Sequence, residues 1–215
     1  MIRAIVFDLD GTLLNTLDDL CDSLNYALSA CGMPTHTLNQ VRLMVGNGTE
    51  ELLTRAVPGG KENPRFHECI AAYRARYTEH WNDKTRPYEG ILPLLATLKK
   101  MGIGVGIASN KFDSAVKELA RLHFGSLVDV AVGEGGEIGR KPRPDSVFAA
   151  MKALGANAEE TLYVGDSDTD VLTGKNAGVF TLSVLWGFRD EDCMRGVGGE
   201  HFITRPEEIL EYVKK

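Results

Sequence analysis

The 215-residue sequence lacks an excess of basic residues, a long apolar run and a closely spaced cysteine pair. It carries 24 Lys and Arg against 30 Asp and Glu, which gives a formal net charge of -6. Nucleic acids and anionic membranes bind clusters of basic side chains, so this balance argues against both as partners. Each basic residue near a functional site therefore matters individually.

Cysteine is scarce, and the four cysteines are far apart: Cys21, Cys31, Cys69 and Cys193. None belongs to a C-x-x-C pair or lies at zinc-site spacing from a histidine, so we predict free thiols. The apolar residues 1–7 are followed at once by Asp8 and Asp10, and this start is too short for a signal peptide or a membrane span. We therefore expect a cytoplasmic protein that does not contact membranes.

The distribution of apolar residues changes twice along the chain. Residues 2–9 form a short apolar run that ends in a glycine turn, which predicts a buried strand. Residues 15–85 have apolar side chains at helical spacing, and Thr16 with Asp19 predicts a capping box at the first helix. From residue 86 onward predicted helices alternate with predicted strands, at 103–109, 128–133, 161–164 and 179–184. This alternation implies parallel strands joined by right-handed crossovers.

These patterns predict an α/β fold with two parts. Residues 1–14 and 86–215 would form a catalytic core around a doubly wound, Rossmann-like parallel sheet. Residues 15–85 would form an all-helical cap domain inserted in that core. Ligands of open α/β sheets bind at the carboxyl ends of the strands, and a cap over that edge would exclude water and contact the leaving group.

Four short motifs stand at predicted strand ends or in nearby loops. They are Phe7-Asp8-Leu9-Asp10-Gly11-Thr12, Ser109-Asn110-Lys111, Lys141-Pro142 and Gly165-Asp166-Ser167-Asp168-Thr169-Asp170. In this order they resemble the four motifs of the haloacid dehalogenase superfamily, and the resemblance covers nearly the whole chain. It includes the position of the helical insertion between the first and second motifs.

The resemblance implies a role for each motif. In the phosphatases of this superfamily the first Asp, here Asp8, is the nucleophile, and the second, Asp10, is the general acid and base. Ser109 and Asn110 would hold phosphate oxygens, and Lys141 would neutralise phosphate charge. Mg²⁺ would be bound by Asp8, the backbone carbonyl of Asp10 and Asp166, and Asp170 would lie behind these ligands and orient Lys141 or a metal-bound water. The residue types support this because an anionic nucleophile approaches a phosphate dianion only where positive charge offsets the repulsion.

Three of these positions also have a simpler interpretation. Asp168 and Asp170 would favour the start of the helix that follows even without a catalytic role. Lys111 is interpreted as a solvated loop charge and receives no role.

Asn15 stands where many members of the superfamily have Asp, a departure that concerns the hinge of the cap rather than the chemistry.

The segment 45–52 is similar to the cap loop of phosphoglycolate phosphatases. We predict that Gly46, Asn47, Gly48 and Thr49 bind substrate, because two glycines before a helix can expose backbone N–H groups to a carboxylate. The alternative is an ordinary turn in which Asn47 or Thr49 caps the helix. The sequence leaves both open.

The function predicted is a Mg²⁺-dependent phosphatase that hydrolyses a small phosphate monoester through an aspartyl phosphate, with 2-phosphoglycolate as the first choice. A phosphosugar mutase similar to β-phosphoglucomutase, or a pyrophosphatase of the same superfamily, is the alternative among enzymes. A non-catalytic regulatory protein that binds metal and phosphate is the alternative outside enzymes. The partner expected is a small-molecule phosphoester, and the protein would be a monomer or a homodimer.

Overall fold

The structure, a computed structural model, describes residues 1–213 and divides the chain into two compact units. Met1–Leu14 and the chain from Pro87 onward form the first unit, and Asn15–Arg86 forms the second. A short sheet pairs β2 (Leu14–Asn15) with β3 (Arg86–Pro87), the segments in which the chain passes from one unit to the other.

Within the described residues, the first unit contains a six-stranded sheet whose strand pairs are all parallel. The strands are β1 (Ala4–Phe7), β4 (Gly104–Phe112), β5 (Val130–Glu134), β6 (Thr161–Gly165), β7 (Phe180–Val184) and β8 (Phe202–Ile203). Their order is β5-β4-β1-β6-β7-β8, so the sheet grows from β1 first on one side and then on the other. The predicted α/β fold with a doubly wound parallel sheet is confirmed.

Helices follow most of these strands, as parallel pairing requires. They are α5 (Ile91–Lys100), α6 (Asp113–His123), α7 (Asp145–Leu154), α8 (Asp168–Ala177), α9 (Glu191–Gly196) and α10 (Ile209–Val213). The sequence pattern did not indicate β8 or α9, because a two-residue strand and a six-residue helix are too short to show a period.

Strand β1 lies between β4 and β6 and is completely buried. Its Ala-Ile-Val-Phe sequence is apolar on both faces, as expected for a central strand of a parallel sheet. The carboxyl ends of β1, β4 and β6 meet at one edge of the sheet, at the point where the strand order reverses. The motifs at these strand ends are thereby brought to one place.

The second unit, all of whose residues 15–86 are described, is mainly helical. It contains α1 (Leu17–Ala30), α2 (Leu38–Met44), α3 (Gly48–Ala56) and α4 (Phe66–His80), with a short 3₁₀ turn at Gly60–Glu62. The first and last of these helices pack against each other. Buried Leu24, Leu28 and Tyr73 belong to its core. That this unit acts as a cap stays a prediction.

The predicted capping box of Thr16 and Asp19 is wrong. Thr16 does stand at the N-cap of α1, but its side chain makes no capping hydrogen bond. The buried Asp19 carboxylate instead accepts hydrogen bonds from Lys84 N, Thr85 N and Thr85 Oγ1, at 2.7–3.0 Å. Three donors from the end of the unit replace the one local donor that a capping box would offer.

Two predictions about the chain as a whole can be compared with the structure directly. All four cysteines are free thiols, with Cys193 exposed and the other three buried. Every helix within residues 1–213 is too short or too polar to cross a lipid bilayer.

Candidate active site

Two aspartates stand immediately after neighbouring strands. Asp8 follows β1 and Asp166 follows β6, and these strands pair in register. Asp170 lies in the first turn of α8. Each of the three buried side chains offers a carboxylate oxygen, and these oxygens lie within 4.8 Å of one another. Carboxylate oxygens are the ligands that hard divalent cations prefer, so this cluster could hold a metal ion.

Lys141 joins this cluster from the loop between β5 and α7. Its Nζ donates to Asp8 Oδ1 at 2.7 Å and to Asp170 Oδ1 at 2.8 Å. The side chain is only 3% exposed. The fold therefore brings together residues of the first, third and fourth motifs, although Asp8 and Lys141 are 133 positions apart in the chain.

Asp170 combines the two interpretations that the sequence left open. Ser167 is the N-cap of α8, and Ser167 and Asp170 form a capping box. Asp170 Oδ2 accepts from Ser167 Oγ at 2.5 Å and from Ser167 N at 3.1 Å, while Oδ1 faces Lys141. One carboxylate thus starts the helix and also binds the lysine.

Asp166 is held by groups that the motif does not include. Its Oδ1 accepts from Thr12 Oγ1 at 3.1 Å and its Oδ2 accepts from Phe188 N at 2.7 Å. The backbone of Gly11 and that of Gly187 also approach Asp166 so closely that a Cβ at either position would overlap its side chain. The Asp166 carboxylate is therefore fixed between the turn after β1 and the loop after β7.

Asp10 forms an ion pair with Lys111. Lys111 Nζ lies 3.2 Å from Asp10 Oδ1 and 3.4 Å from Oδ2. The Lys111 side chain is 9% exposed. The interpretation of Lys111 as a solvated loop charge is therefore wrong, because the end of β4 lies beside the turn that carries Asp10.

The second motif lies at the end of β4, where Ser109 and Asn110 are both buried. Asn110 Oδ1 accepts from Lys141 N at 2.7 Å, and Asn110 Nδ2 donates to Lys141 O at 3.4 Å. Ser109 Oγ accepts from Lys111 N at 3.2 Å. Asn110 therefore holds the backbone of the lysine loop, and the predicted phosphate contacts of both residues stay predictions.

The predicted cap loop belongs to the second unit. Gly46 and Gly48 have φ angles of +110° and +80°, which residues with a side chain rarely adopt. Asn47 is the N-cap of α3, but its side chain makes no capping hydrogen bond and accepts instead from Arg55 Nη2 at 2.8 Å. Thr49 lies in the first turn of α3. Substrate binding by these four residues stays a prediction.

Burial acts differently on the three clustered carboxyl groups. Burial raises the pKa of Asp8 well above its usual value, although Lys141 acts in the opposite direction. Burial, and then the charge of Asp170, raises the pKa of Asp166 to about 7. Burial also acts to raise the pKa of Asp170, but the charge of Lys141 and the hydrogen bonds from Lys141, Ser167 and Tyr163 together outweigh it and leave that pKa below its usual value.

These pKa directions show that the donor set fits a divalent cation. For Asp8 and Asp166, burial and repulsion by neighbouring carboxylates exceed the lysine charge and the hydrogen bonds that act in the opposite direction. A cation beside them would stabilise both as carboxylates. Asp170 is a poorer ligand because each of its oxygens already accepts two hydrogen bonds, whereas each oxygen of Asp166 accepts one.

Four residues at this site were missed or left without a role by the sequence analysis: Thr12, Lys111, Tyr163 and Phe188. Thr12 belongs to the same motif as Asp8, and Lys111 to the same motif as Ser109. Their position in the sequence could therefore have indicated that both lie at the site. Tyr163 lies on β6 and its hydroxyl donates to Asp170 Oδ1 at 2.7 Å. Phe188 contributes its backbone N–H, and a sequence pattern carries no signal for that.

Known proteins resemble this chain along most of its length. The sequence profile described as haloacid dehalogenase-like hydrolase matches residues 5–184. Pyrophosphatase PpaX of Halalkalibacterium halodurans is 31% identical over 213 residues, which cover 99% of this chain and 97% of that protein. A phosphoglycolate phosphatase of Aquifex aeolicus is 33% identical over 189 residues, covering 87% of this chain and 86% of that one.

Solved structures show the same architecture. A crystal structure from Lactobacillus delbrueckii subsp. bulgaricus, provisionally named as a phosphoglycolate phosphatase, superposes with a TM-score of 0.93 at 29% identity. The match covers 98% of both chains. Taken with the profile match over most of the sequence, these findings show that the chain is a hydrolase and belongs to the haloacid dehalogenase-like hydrolase family.

Proposed function

We propose that this protein is a Mg²⁺-dependent phosphatase that transfers the phosphoryl group of a small monoester to Asp8 and then to water. The observation that carries the proposal is the buried contact between Lys141 Nζ and Asp8 Oδ1, 2.7 Å long, beside Asp166 and Asp170. A structural ion pair alone would not require a third buried carboxylate, that of Asp166, beside the two that contact the lysine.

Asp8 is the proposed nucleophile. One of its carboxylate oxygens attacks phosphorus, the bond from phosphorus to the ester oxygen breaks, and an aspartyl phosphate and an alcohol result. Lys141 offsets negative charge on Asp8 and on the phosphoryl oxygens during this transfer. Ser109 and Asn110 are proposed to hold phosphoryl oxygens at the end of β4.

Asp10 is proposed to move the protons. In the first step it donates a proton to the departing ester oxygen, and in the second it accepts a proton from the water that attacks the aspartyl phosphate. The contact with Lys111 Nζ, 3.2 Å from Asp10 Oδ1, orients the Asp10 side chain for both proton transfers. Breaking the bond between phosphorus and Asp8 then regenerates the nucleophile and releases phosphate.

Mg²⁺ would be held by Asp8, Asp166 and the backbone carbonyl of Asp10. When bound, it would offset the charges of nucleophile and phosphate and orient the phosphoryl group. Hydrogen bonds from Thr12 Oγ1 and Phe188 N fix the orientation of the Asp166 carboxylate. Asp170 in turn orients Lys141.

The proposed substrate is 2-phosphoglycolate. The similarity of the segment 45–52 to the cap loops of phosphoglycolate phosphatases supports it, as does the Aquifex relative. In this proposal residues 15–86 form a cap that contacts the leaving group. The Halalkalibacterium relative favours pyrophosphate as a second candidate, because it matches nearly the full length of this chain. A cytoplasmic location and a monomeric or homodimeric state stay predictions.

The first experiment tests the chemistry with p-nitrophenyl phosphate. We expect phosphate release that requires Mg²⁺ and disappears in Asp8→Asn. Asp168→Asn is the matched control, because Asp168 stands in the same acidic motif but is half-exposed and faces Arg189 at 3.8 Å. Activity retained by Asp8→Asn, or a wild-type protein that binds Mg²⁺ but releases no phosphate, would contradict the proposal.

The second experiment identifies the substrate by ranking kcat/KM for 2-phosphoglycolate, pyrophosphate, glucose 1-phosphate and an alkyl phosphate without a carboxylate. We expect 2-phosphoglycolate to rank first. A higher value for pyrophosphate would replace the substrate and leave the chemistry intact. Conversion of glucose 1-phosphate to the 6-phosphate without free phosphate would identify a mutase.

A further inference from the structure

The ammonium group of Lys141 has three hydrogen-bond partners among the described residues. They are Asp8 Oδ1 at 2.7 Å, Asp170 Oδ1 at 2.8 Å and the hydroxyl of Tyr163 at 3.2 Å. An ammonium carries three N–H donors, so these three acceptors match its full capacity. The direction in which Lys141 points is therefore set by three groups rather than by the two carboxylates alone.

The Tyr163 hydroxyl also binds the second of these carboxylates. It donates to Asp170 Oδ1 at 2.7 Å, the same oxygen that accepts from Lys141. Lys141, Tyr163 and Asp170 therefore form a closed triangle of hydrogen bonds. The other oxygen, Oδ2, is occupied by Ser167, so the Asp170 carboxylate cannot rotate away without breaking bonds on both sides.

The rest of Tyr163 has an apolar environment. It stands on β6, in register with Val6 of β1 and Thr181 of β7, and it is completely buried. Its neighbours in the core include Val147, Ala150 and Met151. Phenylalanine would fill the same space, so packing alone gives no reason for a hydroxyl here. A buried hydroxyl is unfavourable unless it is hydrogen-bonded, and this one has both its partners in the site.

From this arrangement we infer that Tyr163 is a positioning residue, whose hydroxyl keeps the Lys141 ammonium directed at Asp8 while the phosphoryl group passes to and from that carboxylate. The inference rests on the proposed function. Tyr163 itself contacts neither nucleophile nor phosphate in this scheme and acts through Lys141 and Asp170. Burial, and then the charge of Asp170, raises the pKa of Tyr163 well above its usual value, so the hydroxyl remains a donor.

The test is Tyr163→Phe, which removes one oxygen and keeps the ring. With p-nitrophenyl phosphate at saturating Mg²⁺, we expect kcat to fall about 10-fold with KM changed less than about 3-fold, the scale typical of residues that orient a catalytic group. Thr173→Val is the matched control, because it removes a buried hydroxyl from α8 that donates to Thr169 O, at 2.7 Å, within the same helix. We expect both variants to lose thermal stability, and only Tyr163→Phe to lose kcat.

Equal kcat values in Tyr163→Phe and Thr173→Val, with the wild type active, would overturn this inference and leave the phosphatase proposal standing. An inactive wild type would instead overturn the phosphatase proposal. Should Tyr163→Phe fail to fold, the wild-type protein offers a second measurement. The Tyr163 hydroxyl proton should exchange slowly with solvent in NMR spectra and shift when inorganic phosphate is added, and rapid exchange would contradict the triangle.

Discussion

The Lys111–Asp10 ion pair has little contact with solvent, since the side chains are 9% and 21% exposed. Replacing Lys111 by Met would leave the Asp10 carboxylate largely desolvated without its partner. We expect the free energy of unfolding to fall by about 2 kcal/mol, less than for a fully buried pair. Urea unfolding measures this change.

Lys117→Met is the control for this prediction. Lys117 pairs with Asp113 on the surface, where the two side chains are 61% and 39% exposed. Such pairs contribute little, so we expect a change below about 0.5 kcal/mol. Equal effects of the two substitutions would show that the Lys111 pair is as well solvated as the surface pair.

Gly187 is one of two glycines, with Gly11, whose missing side chain leaves room for Asp166. A Cβ at this position would overlap Asp166 and the carbonyl oxygen of Gly11. Gly187→Ala must therefore displace the loop after β7 or the Asp166 carboxylate, and we expect Mg²⁺ affinity to fall about 10-fold or more. Isothermal titration with Mg²⁺ measures the affinity without relying on turnover.

The matched substitution is Gly196→Ala. Gly196 lies in α9, and a Cβ there would meet no atom within 4 Å. We expect its Mg²⁺ affinity to equal that of the wild type. Unchanged affinity in Gly187→Ala would mean that the loop after β7 does not control the position of Asp166.

At the scale of elements, Asp19 ties α1 to the end of the helical unit. Its carboxylate accepts hydrogen bonds from Lys84 N, Thr85 N and Thr85 Oγ1. Asp19→Ala would leave these donors without their acceptor, and we expect the unfolding free energy to fall by about 2–4 kcal/mol. Thermal unfolding followed by circular dichroism measures the loss.

Asp22 supplies the comparison, since it pairs with the side chain of the same lysine. That pair is exposed on both sides, at 54% and 53%. Asp22→Ala should change the unfolding free energy by less than about 1 kcal/mol. If Asp19→Ala changed the unfolding free energy as little as Asp22→Ala does, other contacts would have to hold the segment at Lys84 and Thr85.

The loop at the start of α3 is the element that we propose binds the carboxylate of the substrate. Gly48 has a φ of +80°, so Gly48→Val forces this backbone to change. We expect kcat/KM for 2-phosphoglycolate to fall about 10-fold more than kcat/KM for an alkyl phosphate with an apolar alkyl group, because only the first substrate carries a carboxylate. Parallel assays with both substrates measure the ratio.

Gly59→Val controls for strain in the same unit. Gly59 has a comparable φ of +77°, and a Cβ there would meet no atom within 4 Å. It should leave the ratio between the two substrates unchanged. Equal losses for both substrates in Gly48→Val would remove the carboxylate role from this loop.

For the molecule as a whole, the buried carboxyl groups make stability depend on pH and on Mg²⁺. The pKa of Asp166 is raised to about 7 by burial and then by Asp170, and that of Asp8 is also raised. A folded state with raised carboxyl pKa values binds more protons than the unfolded state, so stability falls as pH rises from about 4 to about 7. Asp170, whose pKa is lowered, contributes no change in the upper part of this range.

In EDTA we therefore expect Tm to decrease between pH 5.5 and pH 7.5, and Mg²⁺ to raise Tm by several degrees at pH 7.5 but less at pH 5.5. The metal competes with protons for these carboxylates, which explains the difference. Differential scanning fluorimetry measures both effects. Asp166→Asn should flatten the pH dependence in EDTA, and an equal Mg²⁺ shift at both pH values would contradict the account.

Much of this molecule could be predicted from local patterns in its sequence. The apolar run of β1, the alternation of helices and strands after residue 86 and the motif residues at strand ends each depend on a few neighbouring positions. Backbone geometry and side-chain periodicity act within such short windows. For this reason the parallel sheet could be predicted from the sequence pattern, whereas Asp8, Lys141 and Asp166 were selected through the resemblance of their motifs to those of the haloacid dehalogenase superfamily.

Contacts between distant segments were decided only by the tertiary structure. Lys111 is drawn to Asp10, Asp19 to Thr85 and Asp166 to Phe188 N, each across more than 20 positions. The hydroxyl of Tyr163 likewise accepts a hydrogen bond from Lys141, which is 22 positions away in the chain. Buried polar groups are satisfied by whichever partners the packed chain brings near, and the sequence around each residue does not contain that information.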